Sequence, residues 1–186
     1  MISSNEQDLI TGARSFDLDT LGAIYDRYSP GLFRYAMHLL GDESIAEDCV
    51  ADTFTRLLKA LRNNQGPEDH LQAYLYRIAH NWITDSYRRS PPTPYELNEN
   101  HRADDQSQPE REIEMNIRRS NVRLALRSLT PDQRLVIVLR FLEGWESSEV
   151  AAALDKPLGA VKALQHRALD SLKTMLLPDE EEVLHE

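Results

Sequence analysis

Apolar residues recur along this chain at intervals of three and four, the spacing that places side chains on one face of an α-helix. The first such stripe runs from Leu21 to Leu39, and Gly41 follows it as a residue that readily ends a helix in the left-handed conformation. Pro30 lies inside the stripe, so we expect it to divide the helix into two pieces. Because the alternating pattern of strands is nearly absent, the sequence predicts an all-α protein.

Two further apolar stripes complete an N-terminal bundle. One begins at Asp42 or Ser44, either of which can cap a helix, and continues through Leu61. The next covers residues 71–89. We expect the three stripes to pack together as one small domain.

The rest of the chain divides by composition. Residues 91–112 are acidic, rich in proline and poor in apolar side chains, as in a flexible linker. Helical spacing resumes over residues 113–129, and Thr130 can then cap a new helix with Gln133 bonding back to it. The predicted organisation is two small helical domains with a linker and a solvated tail: 1–90, a helical bundle; 91–112, the linker; 113–177, a helix-turn-helix domain; and 178–186, an acidic tail.

The C-terminal domain contains the spacing of a helix-turn-helix between Ser148 and Leu172. This motif needs a small residue where its two helices cross, and Ala151 can serve. The turn is predicted near Asp155, since aspartate tolerates the left-handed conformation. An ordinary helical hairpin with a solvated basic face is the alternative.

The second helix of this motif would face its core with Val161, Leu164 and Ala168. Its other side then carries donors suited to base edges and phosphates. These candidate DNA-binding residues are Lys162, Ala163, Gln165, His166 and Arg167.

The charge distribution changes what the net charge suggests. A net charge of −10 argues against DNA binding, because affinity for the duplex rests largely on cations that meet phosphates. However, residues 61–90 carry four basic and three acidic side chains, and residues 118–177 carry ten and six. Two locally basic segments could therefore contact DNA at separate places.

The first basic segment contains a polar helix face. Four of its residues are spaced by four, four and three, and a fifth extends the face: Arg77, Asn81, Asp85, Arg88 and Arg89. Aromatic side chains stand around it, namely Tyr74, Tyr76, His80 and Tyr87. Such a mixture suits unstacked bases and phosphates, although aromatics at helical spacing also commonly belong to a core.

Other chemistry is excluded or weakly indicated. Glu47, Asp48 and Asp52 form either a solvated acidic face or a contact for a basic partner protein, and Cys49 is expected to be a buried hydrophobe. The chain lacks a run of about 20 apolar residues, so we expect a cytoplasmic protein without membrane insertion. It also lacks a glycine-rich phosphate loop, a metal-ligand cluster and a nucleophile motif, so we expect no enzyme, no metal and no cofactor.

Several strings together resemble the extracytoplasmic-function (ECF) group of bacterial sigma factors, over residues 21–89 and 122–176. The matching strings are Ala46-Glu47-Asp48 with Thr53-Phe54; Tyr74-Leu75-Tyr76-Arg77-Ile78-Ala79-His80-Asn81 with Asp85 and Arg88-Arg89; Leu129-Thr130-Pro131; and Pro157-Leu158-Gly159-Ala160-Val161-Lys162 with His166-Arg167-Ala168. The resemblance implies that the bundle corresponds to sigma region 2 and the C-terminal helices to region 4.

The resemblance also assigns partners and roles. Asp48, Asp52 and Phe54 would bind core RNA polymerase. The loop 63–70 and the polar face would open and capture the minus-ten promoter element, and the recognition helix would read the minus-thirty-five element. A surface near Leu135, Val138 and Leu142 would receive the flap tip of the polymerase. An anti-sigma factor is a further partner that members of this group often have.

Five positions depart from the family pattern and bear on these roles. Ala51 stands where glutamine is common, Tyr74 where tryptophan is common, and Glu146 where serine often caps a helix. Leu164-Gln165 replaces a commoner Arg-Leu pair and removes one cation from the recognition helix. The competing interpretation is a stand-alone helix-turn-helix regulator whose N-terminal bundle senses a signal or dimerises.

Overall fold

The structure is a computed structural model that describes residues 4–89 and 109–177. The predicted tail and most of the predicted linker lie outside these ranges. Within them the secondary structure is helical, as the sequence predicts. The helices are α1 (Ser4–Arg14), α2 (Leu18–Leu40), α3 (Glu43–Arg62), α4 (Leu71–Arg89), α5 (Pro109–Ser128), α6 (Pro131–Ile137), α7 (Ser147–Leu154) and α8 (Leu158–Leu176).

Helix α2 runs unbroken through Pro30, so the predicted division into two pieces is wrong. Pro30 is exposed, and its ring therefore lies on the solvent side of the helix. Ile24 and Leu32, which flank it on the opposite side, are fully buried. Packing of this inner face holds the helix together, and water can solvate the carbonyl that proline leaves without a donor.

Local capping chemistry places several helix ends where the sequence predicts them. Asp42 is the N-cap of α3, and its carboxylate accepts a hydrogen bond of 2.9 Å from the Ile45 backbone N–H. Thr130 and Gln133 form the predicted capping box of α6. Helix α5 begins at Pro109, earlier than the expected residue 113, and α1 was not predicted at all.

The end of α6 differs from a regular helix. It continues into a π turn, Val138–Leu142, in which the Glu143 backbone N–H donates to the carbonyl of Val138 over 3.0 Å. Leu135 and Val138 are both buried, at 1% and 0% exposure. The predicted flap-binding surface is therefore wrong for these two residues, because they point into the core, whereas Phe141 and Leu142 are about half exposed.

The two halves share one continuous core, and α4 forms its central wall. Tyr76 of α4 packs edge-on against Trp145, with ring centroids 4.8 Å apart. At the other end of α4, the Tyr87 ring lies 4.7 Å from the Arg127 guanidinium and 4.8 Å from that of Arg134. The C-terminal helices thus close against the bundle at two aromatic contacts.

Ionic and polar contacts supplement this packing. The Tyr76 hydroxyl donates to the Glu143 carboxylate over 3.3 Å, and Arg34 lies 3.7 Å from the same carboxylate. Arg123 packs so closely on Gly41, at the end of α2, that a Cβ there would overlap its guanidinium. Arg123, Arg127 and Arg134 therefore stabilise the fold. The number of basic residues in the segment 118–177 overstates the number of cations available to DNA.

Buried titratable groups follow the environment that this packing creates. Cys49 is fully buried, as predicted, and burial raises the pKa of its thiol to about 12. His80 is 4% exposed, and its Nδ1 lies 2.7 Å from the Tyr35 hydroxyl. Burial, with a smaller effect of the nearby Arg134 charge, lowers the pKa of His80 to about 4.

Acidification should destabilise the protein through His80. Between pH 6.5 and pH 4 the unfolded chain binds a proton at this residue that the folded chain does not bind, so stability present above pH 6.5 is lost as the pH falls. We expect the wild type to lose about 3 kcal/mol more of its free energy of unfolding over this range than His80→Gln. Urea titrations at several pH values measure it, with exposed His38→Gln as the control. Parallel losses in wild type and His80→Gln would contradict the assignment.

Candidate nucleic-acid interface

Helices α7 and α8 form a helix-turn-helix. Val150 and Val161 are fully buried where the two helices meet, and Ala168 is buried farther along α8. Ala151, the small residue predicted at the crossing, is partly buried and packs against the core, and Ala153 is 1% exposed. The inner face of α8 is therefore the predicted one, and on α7 Val150 is buried and Leu154 packs partly buried against the core, as predicted.

The turn between these helices depends on Asp155. Its φ and ψ of 53° and 48° place it in the left-handed region, as the sequence predicts. The following backbone N–H, of Lys156, donates to the carbonyl of Ala151 over 3.0 Å and so closes the end of α7. The Lys156 ammonium lies 3.3 Å from the Asp132 carboxylate, which ties the turn to α6.

The predicted recognition residues share the outward side of α8. Lys162, Ala163, His166 and Arg167 are exposed, and Gln165 is partly exposed. The side chain of Arg167 folds back to donate from Nε to the Ala163 carbonyl over 3.2 Å, and His166 Nδ1 lies 2.8 Å from the Asp170 carboxylate. These local contacts hold two of the polar groups along the helix surface.

The predicted polar face of α4 is also solvent-facing. All five of its members are exposed: Arg77, Asn81, Asp85, Arg88 and Arg89. Asp85 and Arg88 are 3.7 Å apart, and the Asp85 carbonyl accepts a hydrogen bond from Arg89. The helix thus presents a row of three cations, one amide and one carboxylate opposite its buried side.

The aromatic residues around that face do not all join it. Tyr76 and His80 are 2% and 4% exposed, so they belong to the core and cannot stack on bases. Tyr87 is occupied by the two guanidinium groups described above. Tyr74 is partly exposed and has Arg77 over its ring at 5.7 Å, and it keeps an aromatic surface beside the polar face.

The loop before α4 and the turn of the helix-turn-helix face each other across one open cavity. The cavity measures about 760 Å³, and both elements contribute charged side chains to its walls. One wall includes Glu68 and His70 of the loop with Arg77 of α4, and the turn side includes Asp155 and Lys156. The two candidate DNA-facing elements are therefore neighbours in this structure.

Metal sites and membrane spans are not found among residues 4–89 and 109–177. Histidine, cysteine and acidic side chains there do not gather into a group of three that could hold a metal ion. None of the helices in those ranges is both long and apolar enough to cross a membrane.

Comparison with known proteins finds two family models that match this chain. Residues 24–91 match the family model for Sigma-70 region 2, and residues 125–174 match that for Sigma-70 region 4. The chain is 31% identical over 185 residues to the ECF RNA polymerase sigma factor BldN of Streptomyces coelicolor, a match that covers 96% of this chain and 68% of that protein. It is 30% identical over 172 residues to SigL of Mycobacterium tuberculosis, covering 90% and 94%.

The chain belongs to the ECF sigma factors.

One solved structure shares the arrangement of the two halves. CnrH, solved in complex with the cytosolic domain of CnrY, aligns with a TM-score of 0.67 at 26% identity, covering 92% of this chain and 96% of that one. Because residues 4–89 are less than half of the chain, this score requires parts of both halves to superpose together. RpoE of Bartonella quintana, with a TM-score of 0.55 at 23% identity, shares the fold.

The predicted polymerase-binding residues of this sigma factor lie on α3. Asp48 is exposed, and Asp52 is partly exposed with its carboxylate 2.5 Å from Arg56. Phe54 is partly buried, and its ring packs against that of Tyr25 with centroids 4.8 Å apart. Tyr25 is 49% exposed, so the pair presents an aromatic patch that the sequence pattern did not single out.

The left-handed turn residue allows a stability test. Asp155→Gly should raise the free energy of unfolding by up to about 1 kcal/mol, and Asp155→Ala should lower it by about 1 kcal/mol, because alanine has neither the freedom of glycine nor a polar group to bond locally. Asp155→Asn is the matched control and should change little. Denaturant unfolding measures all three, and equal stability of the glycine and alanine variants would show that this backbone conformation is not strained.

Proposed function

We propose that this sigma factor binds core RNA polymerase and holds promoter DNA at two points, the exposed polar face of α4 and the exposed side of α8. Both faces are exposed to solvent, and each lies on the side of its helix opposite the buried apolar stripe. This exposure is the observation that supports the proposal most directly. Helix α8 is the second helix of a helix-turn-helix, and in other proteins with this motif the second helix enters the major groove. Its donors can meet base edges and phosphates of the minus-thirty-five element.

The α4 face would act on the minus-ten element. Bases that leave a duplex lose stacking, and a protein compensates with hydrogen bonds, cations and aromatic surfaces. Asn81, Arg77 and Arg88 supply the polar groups, and Tyr74 supplies a partly exposed ring beside them. The loop 63–70 leads directly into this helix and would capture a base at its start.

Polymerase binding is assigned to the acidic side of α3. Asp48 and Asp52 offer carboxylates to a basic helix, and Phe54 supports the aromatic patch with Tyr25. Regulation by an anti-sigma factor is part of the proposal, since RpoE was solved with the anti-sigma factor NepR. A partner of RNA polymerase works in the cytoplasm and acts through binding, so we propose no catalytic activity.

The alternative of a stand-alone regulator receives no comparable support. It requires the N-terminal bundle to sense a signal or to dimerise. The match to Sigma-70 region 2 covers residues 24–91, which is that bundle. We therefore keep the sigma factor as the single candidate function.

Engagement of both promoter elements requires the two halves to separate. Elements centred about 25 base pairs apart are separated by about 85 Å along B-form DNA at 3.4 Å per base pair. In this structure the loop before α4 and the turn before α8 line one cavity of about 760 Å³. The packing of α4 against the C-terminal helices is thus a closed state, and promoter binding needs an open one.

Substitutions in the two faces should have separable effects. Replacing Lys162 and Arg167 with Gln should weaken binding to the upstream element and reduce the slope of log affinity against log salt by up to about two. Replacing Asn81 and Arg88 with Ala should leave holoenzyme assembly intact but impair promoter opening. Gel-shift titrations over a salt series and permanganate footprinting measure these effects. An unchanged salt slope, or loss of assembly in the second variant, would overturn the corresponding assignment.

Linking the two halves should block promoter opening. His38 on α2 and Arg119 on α5 are both exposed and line one small cavity between the halves. A His38→Cys, Arg119→Cys double variant treated with a short bismaleimide should be locked shut, while buried Cys49 stays unreactive. We expect open-complex formation to fall at least about tenfold, because a linked chain cannot span both elements.

The controls separate this effect from damage. The single-cysteine variants treated with the same reagent should transcribe normally. A linked chain should retain salt-dependent binding to short duplexes, because the α8 side remains exposed when the halves are closed. A linked chain that opens promoters at the wild-type rate would contradict the requirement for separation.

A further inference from the structure

Helix α1 lies before the segment that matches Sigma-70 region 2, and it is firmly docked on the bundle. Ile10 and Ala13 are 2% and 1% exposed. Gly12 lets α1 approach α2 closely, since a Cβ there would lie 2.5 Å from the Thr20 hydroxyl oxygen. A helix held by such packing offers a fixed base for its polar side chains.

One end of α1 caps the start of α4. The Glu6 carboxylate accepts a hydrogen bond of 3.2 Å from the Gln72 backbone N–H, in the first turn of α4. The N–H groups of a first helical turn have no partner within the helix, and a carboxylate there also interacts favourably with the helix dipole. Glu6 therefore provides from another helix what a local N-cap usually provides.

The other end of α1 holds the loop before α4. Arg14 Nη2 donates to the Gly66 carbonyl over 3.4 Å and lies 3.5 Å from the Glu68 carboxylate. Glu6 and Arg14 are eight residues apart, so their backbones are separated by about 12 Å along the helix. Together they contact the chain at Gly66, Glu68 and Gln72, on both sides of the loop's exposed tip.

The loop itself has a conformation that needs support. Asn64 and His70 both have a positive φ, of 56° and 47°, which is uncommon for residues other than glycine. Gly66 packs onto Leu61 so closely that a Cβ would lie 2.6 Å from its side chain, and Pro67 is buried. Glu68, Asp69 and His70 are exposed at the tip of the loop, so the anchors on either side determine how this tip is presented.

We propose that Glu6 and Arg14 are positioning residues for the minus-ten element: they hold the loop 63–70 and the first turn of α4 in the geometry that captures a base. This inference rests on the proposed role of that loop. It adds α1, which the region 2 match does not include, to the specificity machinery. The two side chains act through the loop and do not contact DNA themselves.

The test uses reconstituted holoenzyme and two promoter libraries, one randomised at the minus-ten element and the other at the minus-thirty-five element. Glu6→Gln removes the negative charge at the start of α4, and Arg14→Gln removes the ion pair with Glu68; each should reduce permanganate-detected opening by up to about fivefold and flatten the preference at minus-ten. The preference at minus-thirty-five should not change. A purely structural role would lower transcription equally in both libraries.

Matched variants sharpen the comparison. Asp8→Asn removes a carboxylate from the exposed side of the same helix and should behave as wild type. Arg14→Lys keeps the charge and one donor and should restore most of the minus-ten preference. Arg14 is exposed, so its variants provide a test even if Glu6→Gln folds poorly.

The outcomes distinguish this inference from the proposed function. Asp69→Asn, in the exposed tip of the loop, reports on the loop alone. If Asp69→Asn alters the minus-ten preference while Glu6→Gln and Arg14→Gln match Asp8→Asn, the role of α1 is refuted and that of the loop stands. If none of these variants alters the preference, the proposed role of the loop fails as well.

Discussion

The buried guanidinium of Arg134 joins the two halves of the structure. Arg134 is 4% exposed, and it donates hydrogen bonds of 2.8 to 3.0 Å to carbonyls at Leu126, Arg127 and Leu129, where α5 ends. Its outer side packs over the ring of Tyr87 on α4. A buried cation needs such partners because its desolvation is expensive. Helix α4 therefore completes the environment of Arg134, and the relative placement of α4, α5 and α6 depends on that contact.

Because of this arrangement, α4 contributes to the shared core on one side and to the solvent-exposed polar face on the other. Its inner side carries Tyr76 and His80 into the shared core, while its outer side keeps Arg77, Asn81 and Arg88 in water. A substitution on the inner side changes the closure of the two halves, and one on the outer side leaves the closure intact. Opening of the halves and the proposed DNA contact can consequently be changed separately by mutation along this one helix.

Sequence reasoning succeeded where the deciding interaction is local and failed where it is not. The caps at Asp42 and Thr130 and the left-handed Asp155 depend on neighbouring residues, and they were predictable. Packing against residues far away in the sequence decides the exposure of Pro30 and the burial of Tyr76, His80, Leu135 and Val138. An apolar stripe does not indicate which of its members that packing buries. Counting charges also misled, because Arg123, Arg127 and Arg134 serve the fold. Helix α1 was not predicted because its buried residues Ile10 and Ala13 are too few to form a recognisable apolar stripe.

The character of the closing contacts fits a state that has to open. Besides the shared apolar core, in which Tyr76 packs on Trp145, the halves meet through two cations on the Tyr87 ring of α4 and through the ion pair of Arg34 on α2 with Glu143. Contacts of this kind contribute modestly and weaken with salt. Reversing a 99 to 1 preference requires about 5.5 kcal/mol of differential binding. Polymerase and promoter can supply that by contacting surfaces of the two halves at separations that only the open state reaches.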